Sequence, residues 1–158
     1  MKELELYRKG TAPTLAPLYD EAIHAGSESP AVDNKEARID VNDYVTRYPD
    51  ATFFARVKGE CMIGSGIFPD DLLVVDRSLT PSHGDIVVGV LDNEFILRCY
   101  YTVSGKEYLM PDNQYFKPIE RTESTHFEIW GVVPHTILDQ RRRNHARINR
   151  IDSRFRNL

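Results

Sequence analysis

Six short runs rich in Val, Ile, Phe and Tyr follow one another after residue 50, and they restrict the chain to few architectures. The runs are residues 52–58, 72–75, 85–91, 94–101, 106–110 and 127–133. Branched and aromatic side chains favour strands because they pack well on a pleated surface. Turn formers separate several runs, and Asp92-Asn93 between two of them predicts a tight hairpin. The pattern predicts a mainly β, compact, curled domain with little helix.

The two ends of the chain differ from this β-rich part. Glycines and prolines interrupt any long helix before residue 39, namely Gly10, Pro13, Pro17, Gly26 and Pro30. We therefore predict a flexible N-terminal arm over residues 1–38, with a short helical turn near residues 18–23. The core domain is predicted over residues 39–138. It begins with a short helix over residues 40–48, for which Asp40 is the expected N-cap.

Composition excludes several classes of function. A net charge of −4 argues against a protein that binds nucleic acid with its whole surface. No apolar run approaches the roughly 18–20 residues needed to cross a membrane, and the N-terminus lacks a signal-peptide core. The two cysteines fit reduced cytosolic thiols. Metal-ligand clusters, P-loops and dinucleotide fingerprints are missing from the sequence. We expect a cytoplasmic protein with no cofactor, no metal and no membrane contact.

The most distinctive local pattern is Val-Lys-Gly-Glu-Cys-Met-Ile-Gly-Ser-Gly-Ile at residues 57–67, where a glycine turn presents Cys61 between two β-rich runs. Arg98 follows 37 residues later in Glu-Phe-Ile-Leu-Arg, and Ser-His-Gly-Asp occupies residues 82–85. With these motifs the chain resembles the LexA/UmuD family of self-cleaving serine–lysine peptidases, over roughly residues 13–137. Residues 1–38 are too short and too interrupted for a helix-turn-helix domain, which favours the UmuD branch over the repressor branch.

The resemblance implies a site and a set of partners. Cys61 stands where the family has its serine, and Arg98 stands where it has its lysine. In the family the serine attacks a backbone carbonyl of the protein's own arm, and here the implied scissile bond is Ala25-Gly26. The implied role is in the SOS response to DNA damage and in mutagenesis. The implied partners are a second copy of the chain, a Y-family translesion DNA polymerase, and the recombinase filament on single-stranded DNA.

Both catalytic positions are substituted, so the chemistry of the site stays open. A neutral lysine can accept a proton, whereas a guanidinium with a pKa above about 12 cannot. A thiol differs from a hydroxyl because a neighbouring cation can hold it as a thiolate. Three interpretations remain: a degenerate peptidase that keeps its fold and partner surface, an active autopeptidase in which Arg98 stabilises a Cys61 thiolate, and coincidental core residues. Two further residues are interpreted as structural, His83 as a turn residue and Met62 as core packing.

Residues 139–158 extend beyond the point where UmuD-like chains usually end. They contain seven arginines and two aspartates, and their apolar residues recur at helical spacing. One interpretation is an amphipathic helix that docks on a polymerase partner or on DNA. The other is a solvated terminal helix with no dedicated ligand. The sequence leaves direct DNA contact open.

Overall fold

The computed structural model describes residues 4–8, 15–18 and 37–157. The elements in chain order are β1 (Leu4–Arg8), β2 (Leu15–Leu18), β3 (Ala37–Asp40), α1 (Val41–Val45), β4 (Thr52–Val57), β5 (Leu72–Asp76), β6 (Ile86–Leu91), β7 (Glu94–Val103), β8 (Lys106–Met110), β9 (Ile119–Glu120), β10 (Glu128–Ile137) and α2 (Asn144–Phe155). Within these residues one antiparallel sheet has the order β1-β4-β5-β10-β6-β7-β8-β9, and β2 pairs with β3 separately. This architecture confirms the predicted mainly β fold.

Each of the six β-rich runs forms a strand close to its predicted bounds. The hairpin at Asp92-Asn93 is also confirmed, because both residues have positive φ, 51° and 64°, as a tight two-residue turn between twisted strands requires. Ser104 and Gly105 form a second turn of this kind, with φ of 50° and 75°. The predicted short helix is α1, and the side chain of Asp40 caps it by accepting from the backbone N–H of Asn42 at 2.9 Å.

Strands β1 and β2 and the first two residues of β3 lie inside the segment that the sequence assigned to an arm. β1 pairs with β4 at one edge of the main sheet, from Leu4 opposite Val57 to Arg8 opposite Phe53. Leu4 is 3% exposed and belongs to the core. β2 contains Leu18, the first residue of the predicted helical turn, whereas residues 19–23 lie outside the described residues.

The larger core cluster positions the candidate site. It joins apolar side chains from β4, β5, β6, β7 and β10 with Cys61 and Met62, which follow the end of β4. Met62 is 1% exposed, as its core interpretation requires. A smaller cluster around Phe127 and Leu109 fills the space near β8. In the described part of the chain, no helix is both long and apolar enough to span a bilayer.

Candidate functional site

The turn that carries Cys61 lies between β4 and β5. A 3₁₀ turn over Ile63–Ser65 follows it, and Gly66 ends that turn with a φ of 78°, a conformation that glycine adopts without steric cost. The N–H of Ile67 donates to the carbonyl of Met62 at 3.2 Å and closes the loop. Cys61 therefore sits at the base of a compact, hydrogen-bonded turn, where its side chain is 1% exposed.

The structure brings the two predicted site residues together. The Cys61 thiol donates to the carbonyl oxygen of Leu97 at 3.1 Å, and Nη1 of Arg98 donates to the same oxygen at 2.7 Å. The sulfur and Nη1 are therefore no more than about 6 Å apart, because both lie within bonding distance of one atom. The Arg98 side chain is buried, and its guanidinium lies 5.6 Å from the centre of the Phe116 ring. Positions 61 and 98 thus form one buried site.

In this geometry the thiol proton of Cys61 is directed at the carbonyl oxygen of Leu97. The negative end of that carbonyl dipole faces the sulfur. The guanidinium of Arg98 cannot accept the thiol proton, because it has N–H donors and no acceptor. Arg98 can offer only its positive charge. The arrangement holds both side chains in place, but Arg98 cannot serve as a base for the thiol.

Residues 111–116 hold the Cys61 turn from a distant part of the sequence. The N–H of Asp112 donates to the Cys61 carbonyl at 2.9 Å, and the N–H of Gly64 donates back to the Asp112 carbonyl at 2.9 Å. The Ser65 hydroxyl donates to the Asp112 carboxylate at 2.7 Å, and the Asn113 amide donates to the Glu60 carbonyl at 2.9 Å. These positioning residues were missed by sequence reasoning. Asp112 and Asn113 are turn formers, which gave only a weak local signal.

His83 makes its contacts with residues of β7. His83 lies in the turn before β6, where its Nδ1 accepts from the N–H of Thr102 at 3.0 Å and its ring contacts Tyr101. These contacts agree with its interpretation as a turn residue. The predicted cleavage site, Ala25 and Gly26, lies outside the described residues.

Cys99 is the second thiol near the site, and its pKa is raised. Burial is the main cause, and the negative charges of Asp112 and Asp85 add to it. We expect that in a Cys61→Ala variant the alkylation of Cys99 by iodoacetamide reaches half its maximal rate clearly above pH 8.5, the usual thiol pKa. Asp112→Asn should lower that midpoint because it removes one of the charges. A midpoint at or below about pH 8.5 in the Cys61→Ala protein contradicts the raised pKa.

The mainly β fold is that of a peptidase-type domain, and it brings the thiol of position 61 and the guanidinium of position 98 into one buried site. The chain belongs to the peptidase S24-like family, whose family model matches residues 17–134. It is 40% identical to protein MucA of Salmonella typhimurium over 125 residues. This aligned stretch covers 78% of this chain and 84% of MucA. It is 38% identical to protein ImpA of Shigella flexneri over 129 residues, and that stretch covers 77% of this chain and 82% of ImpA.

A LexA repressor from Caldicellulosiruptor saccharolyticus is more distant, at 36% identity over 97 residues, which cover 61% of this chain and 48% of that repressor. The similarities confirm the predicted family and its UmuD-like branch, the branch associated with SOS mutagenesis.

Proposed function

We propose that the chain is a UmuD-like accessory protein of the SOS response that dimerises and regulates an error-prone Y-family DNA polymerase, without cutting itself at a useful rate. The observation that carries the second half of this proposal is the shared Leu97 carbonyl. The thiol of Cys61 and the guanidinium of Arg98 both donate to it, and a guanidinium cannot accept the thiol proton as a neutral lysine would.

Loss of the base has a direct consequence for the reaction. A nucleophile must give up its proton before or during attack, and an activated serine or cysteine depends on a neighbouring base or on a lowered pKa. Here the thiol would have to leave its carbonyl acceptor and ionise while 1% exposed. The leaving amine would then need a proton from a group other than arginine. The uncut chain is accordingly the proposed working form.

The proposed partners follow from the family. The similarity to MucA and ImpA extends over about four fifths of each of those proteins, which supports a shared accessory role in mutagenesis. We propose a cytoplasmic homodimer that contacts a Y-family polymerase and the recombinase filament on single-stranded DNA. In the family that filament promotes self-cleavage, so a cleavage-deficient member would be insensitive to it.

A second candidate function is an active autopeptidase that cuts Ala25-Gly26 with a Cys61 thiolate stabilised by Arg98. The observation in its favour is the short distance between sulfur and guanidinium, within which a positive charge lowers the pKa of a thiol effectively. For this function the Cys61 sulfur would have to leave the Leu97 carbonyl, ionise and contact the guanidinium of Arg98 instead.

Incubation of the purified full-length protein between pH 7 and pH 10, with and without the recombinase filament, separates the two functions. We expect the chain to stay intact, as read by intact mass, because the thiol is buried and Arg98 cannot protonate the leaving amine even when a high pH favours thiolate. Cys61→Ala is the control for cleavage by contaminating proteases. A fragment that begins at Gly26 in the natural protein and is missing from Cys61→Ala contradicts the degenerate site and establishes the autopeptidase. Direct binding of the uncut chain to a Y-family polymerase tests the accessory role separately.

A further inference from the structure

The positive charge of this protein is concentrated at one end. Residues 139–158 hold seven arginines against two aspartates, whereas the other 138 residues hold 13 Lys and Arg against 22 Asp and Glu. All the cations of this tail are arginines. The guanidinium group has a planar fork of donors that matches a phosphate with two parallel hydrogen bonds, which lysine cannot provide.

Helix α2 arranges part of this charge in a stripe. Arg143, Arg147, Arg150 and Arg154 are four, three and four residues apart, so they lie on one face of a helix with 3.6 residues per turn. Arg147 donates to neutral groups, the amide oxygens of Asn144 and Gln140. Arg150 lines a cavity with Asp71 and Asp139 but forms no ion pair with a described residue. Within the described part of the chain, three guanidinium groups of the stripe are therefore outside any ion pair.

The first arginine of the stripe fastens the helix to the body. Arg143 donates to the carboxylate of Asp71, which is 5% exposed, and to the carbonyl of Gly66 at 3.2 Å. Its guanidinium also lies 4.3 Å from the centre of the Phe68 ring. No residue of α2, all of which the structure describes, is buried. The helix is thus held near its N-terminal end, where Ala146 and Arg150 line a cavity with Phe68 and Asp71, and its later turns are exposed.

An apolar stripe runs beside the arginines. Ile148, Ile151 and Phe155 follow at helical spacing and are 53%, 46% and 69% exposed. A flat aromatic ring next to a row of cations is the combination with which proteins bind unpaired nucleic acid strands, where phosphates meet the cations and bases stack on the ring. Membrane-surface helices instead depend on a wide apolar face, and three apolar side chains form a narrow one.

We propose that α2 is a binding site for a single nucleic acid strand, in which Arg147, Arg150 and Arg154 contact phosphates and Phe155 stacks on a base. This site is separate from the buried Cys61 pair and does not depend on the proposed function. The acidic remainder of the chain restricts contact to the helix, because it repels a polyanion. Binding is therefore local and strongly dependent on salt.

The test measures binding of the full chain to a fluorescent 20-nucleotide single strand. Fluorescence anisotropy gives the association constant K at salt concentrations from 50 to 200 mM. Three phosphate contacts predict a slope of about −2 for log K against log salt, at about 0.7 per phosphate for single strands. Arg150→Gln with Arg154→Gln should weaken binding at 50 mM salt by about tenfold or more and reduce the slope by about 1.4. Phe155→Ala should weaken single-strand binding and leave the slope unchanged, since it carries no charge.

The matched control is Arg47→Gln with Lys117→Gln, which removes the same charge from two exposed positions of the body. Equal losses in the control and in the tail variant would mean that net charge alone attracts the strand, and would overturn the site. A duplex that binds as tightly as the single strand would overturn the stacking role of Phe155. Binding to vesicles of phosphatidylglycerol and phosphatidylcholine, with no binding to the oligonucleotide, would show a membrane-surface helix instead. Circular dichroism confirms that each variant keeps its fold.

Discussion

Gly64→Ala should lower the free energy of unfolding by about 3 kcal/mol, which corresponds to a fall in Tm of about 6–12 °C for a chain of this length. A Cβ at this position would lie 2.3 Å from Oδ1 of Asp112 and 2.7 Å from the Asp112 carbonyl oxygen. The clash lies where residues 111–116 contact the Cys61 turn. The added methyl group can be accommodated only if residues 111–116 and the turn move apart. Thermal unfolding of both proteins at one concentration measures the change, because the proposed dimer would make Tm depend on concentration.

Gly66→Ala is the matched control for that substitution. Among the described residues other than its chain neighbours, no heavy atom lies within 4 Å of a Cβ at Gly66, but its φ is 78°. Alanine there therefore costs about 1 kcal/mol through backbone strain alone. Asp112→Ala added to Gly64→Ala should recover only part of the loss, since the backbone carbonyl of residue 112 still lies too close. A Gly64→Ala protein as stable as Gly66→Ala would show that the turn and residues 111–116 are not held together as described.

The parts of the fold that the sequence predicted are those that local physical chemistry determines. Six strands and the Asp92-Asn93 turn follow from residue types that favour a pleated surface or a positive φ. The cap of α1 follows from one aspartate at the right position. Each of these features depends on neighbours in the chain, which a single sequence displays directly.

The parts that were missed depend on partners far apart in sequence. β1 is stabilised as a strand by pairing with β4 about 50 residues later, although its own composition is unremarkable. Arg143 meets Asp71 across 72 positions, and Asn113 reaches Glu60 across 53. At the site, the resemblance placed Cys61 and Arg98 together but gave no sign that both donate to the Leu97 carbonyl. The proposed loss of self-cleavage depends on that detail, which is a property of the folded backbone.

Cys61→Ser combined with Arg98→Lys should produce self-cleavage at Ala25-Gly26. Lysine in the place of Arg98 would be buried, which lowers its pKa and lets a neutral amine accept the serine proton. General-base catalysis of this kind contributes about 10²- to 10⁴-fold, so the fragment should form at least a hundredfold faster than in the natural protein. The rate should rise with pH through the lysine pKa, because only the neutral amine is active. Mass spectrometry and N-terminal sequencing of a fragment that begins at Gly26 provide the measurement.

Three matched variants test whether self-cleavage depends on both residue 61 and residue 98. Cys61→Ser alone lacks a base and should stay intact, and Cys61→Ala with Arg98→Lys lacks a nucleophile and should also stay intact. Arg98→Lys alone joins the natural thiol to a proton acceptor and should cut, since a thiol is a better nucleophile than a hydroxyl once it is deprotonated. If the double variant folds with the natural Tm and still remains whole from pH 7 to pH 10, the loss of the two side chains does not explain inactivity. The obstacle would then lie in access of the scissile bond to a residue that is only 1% exposed.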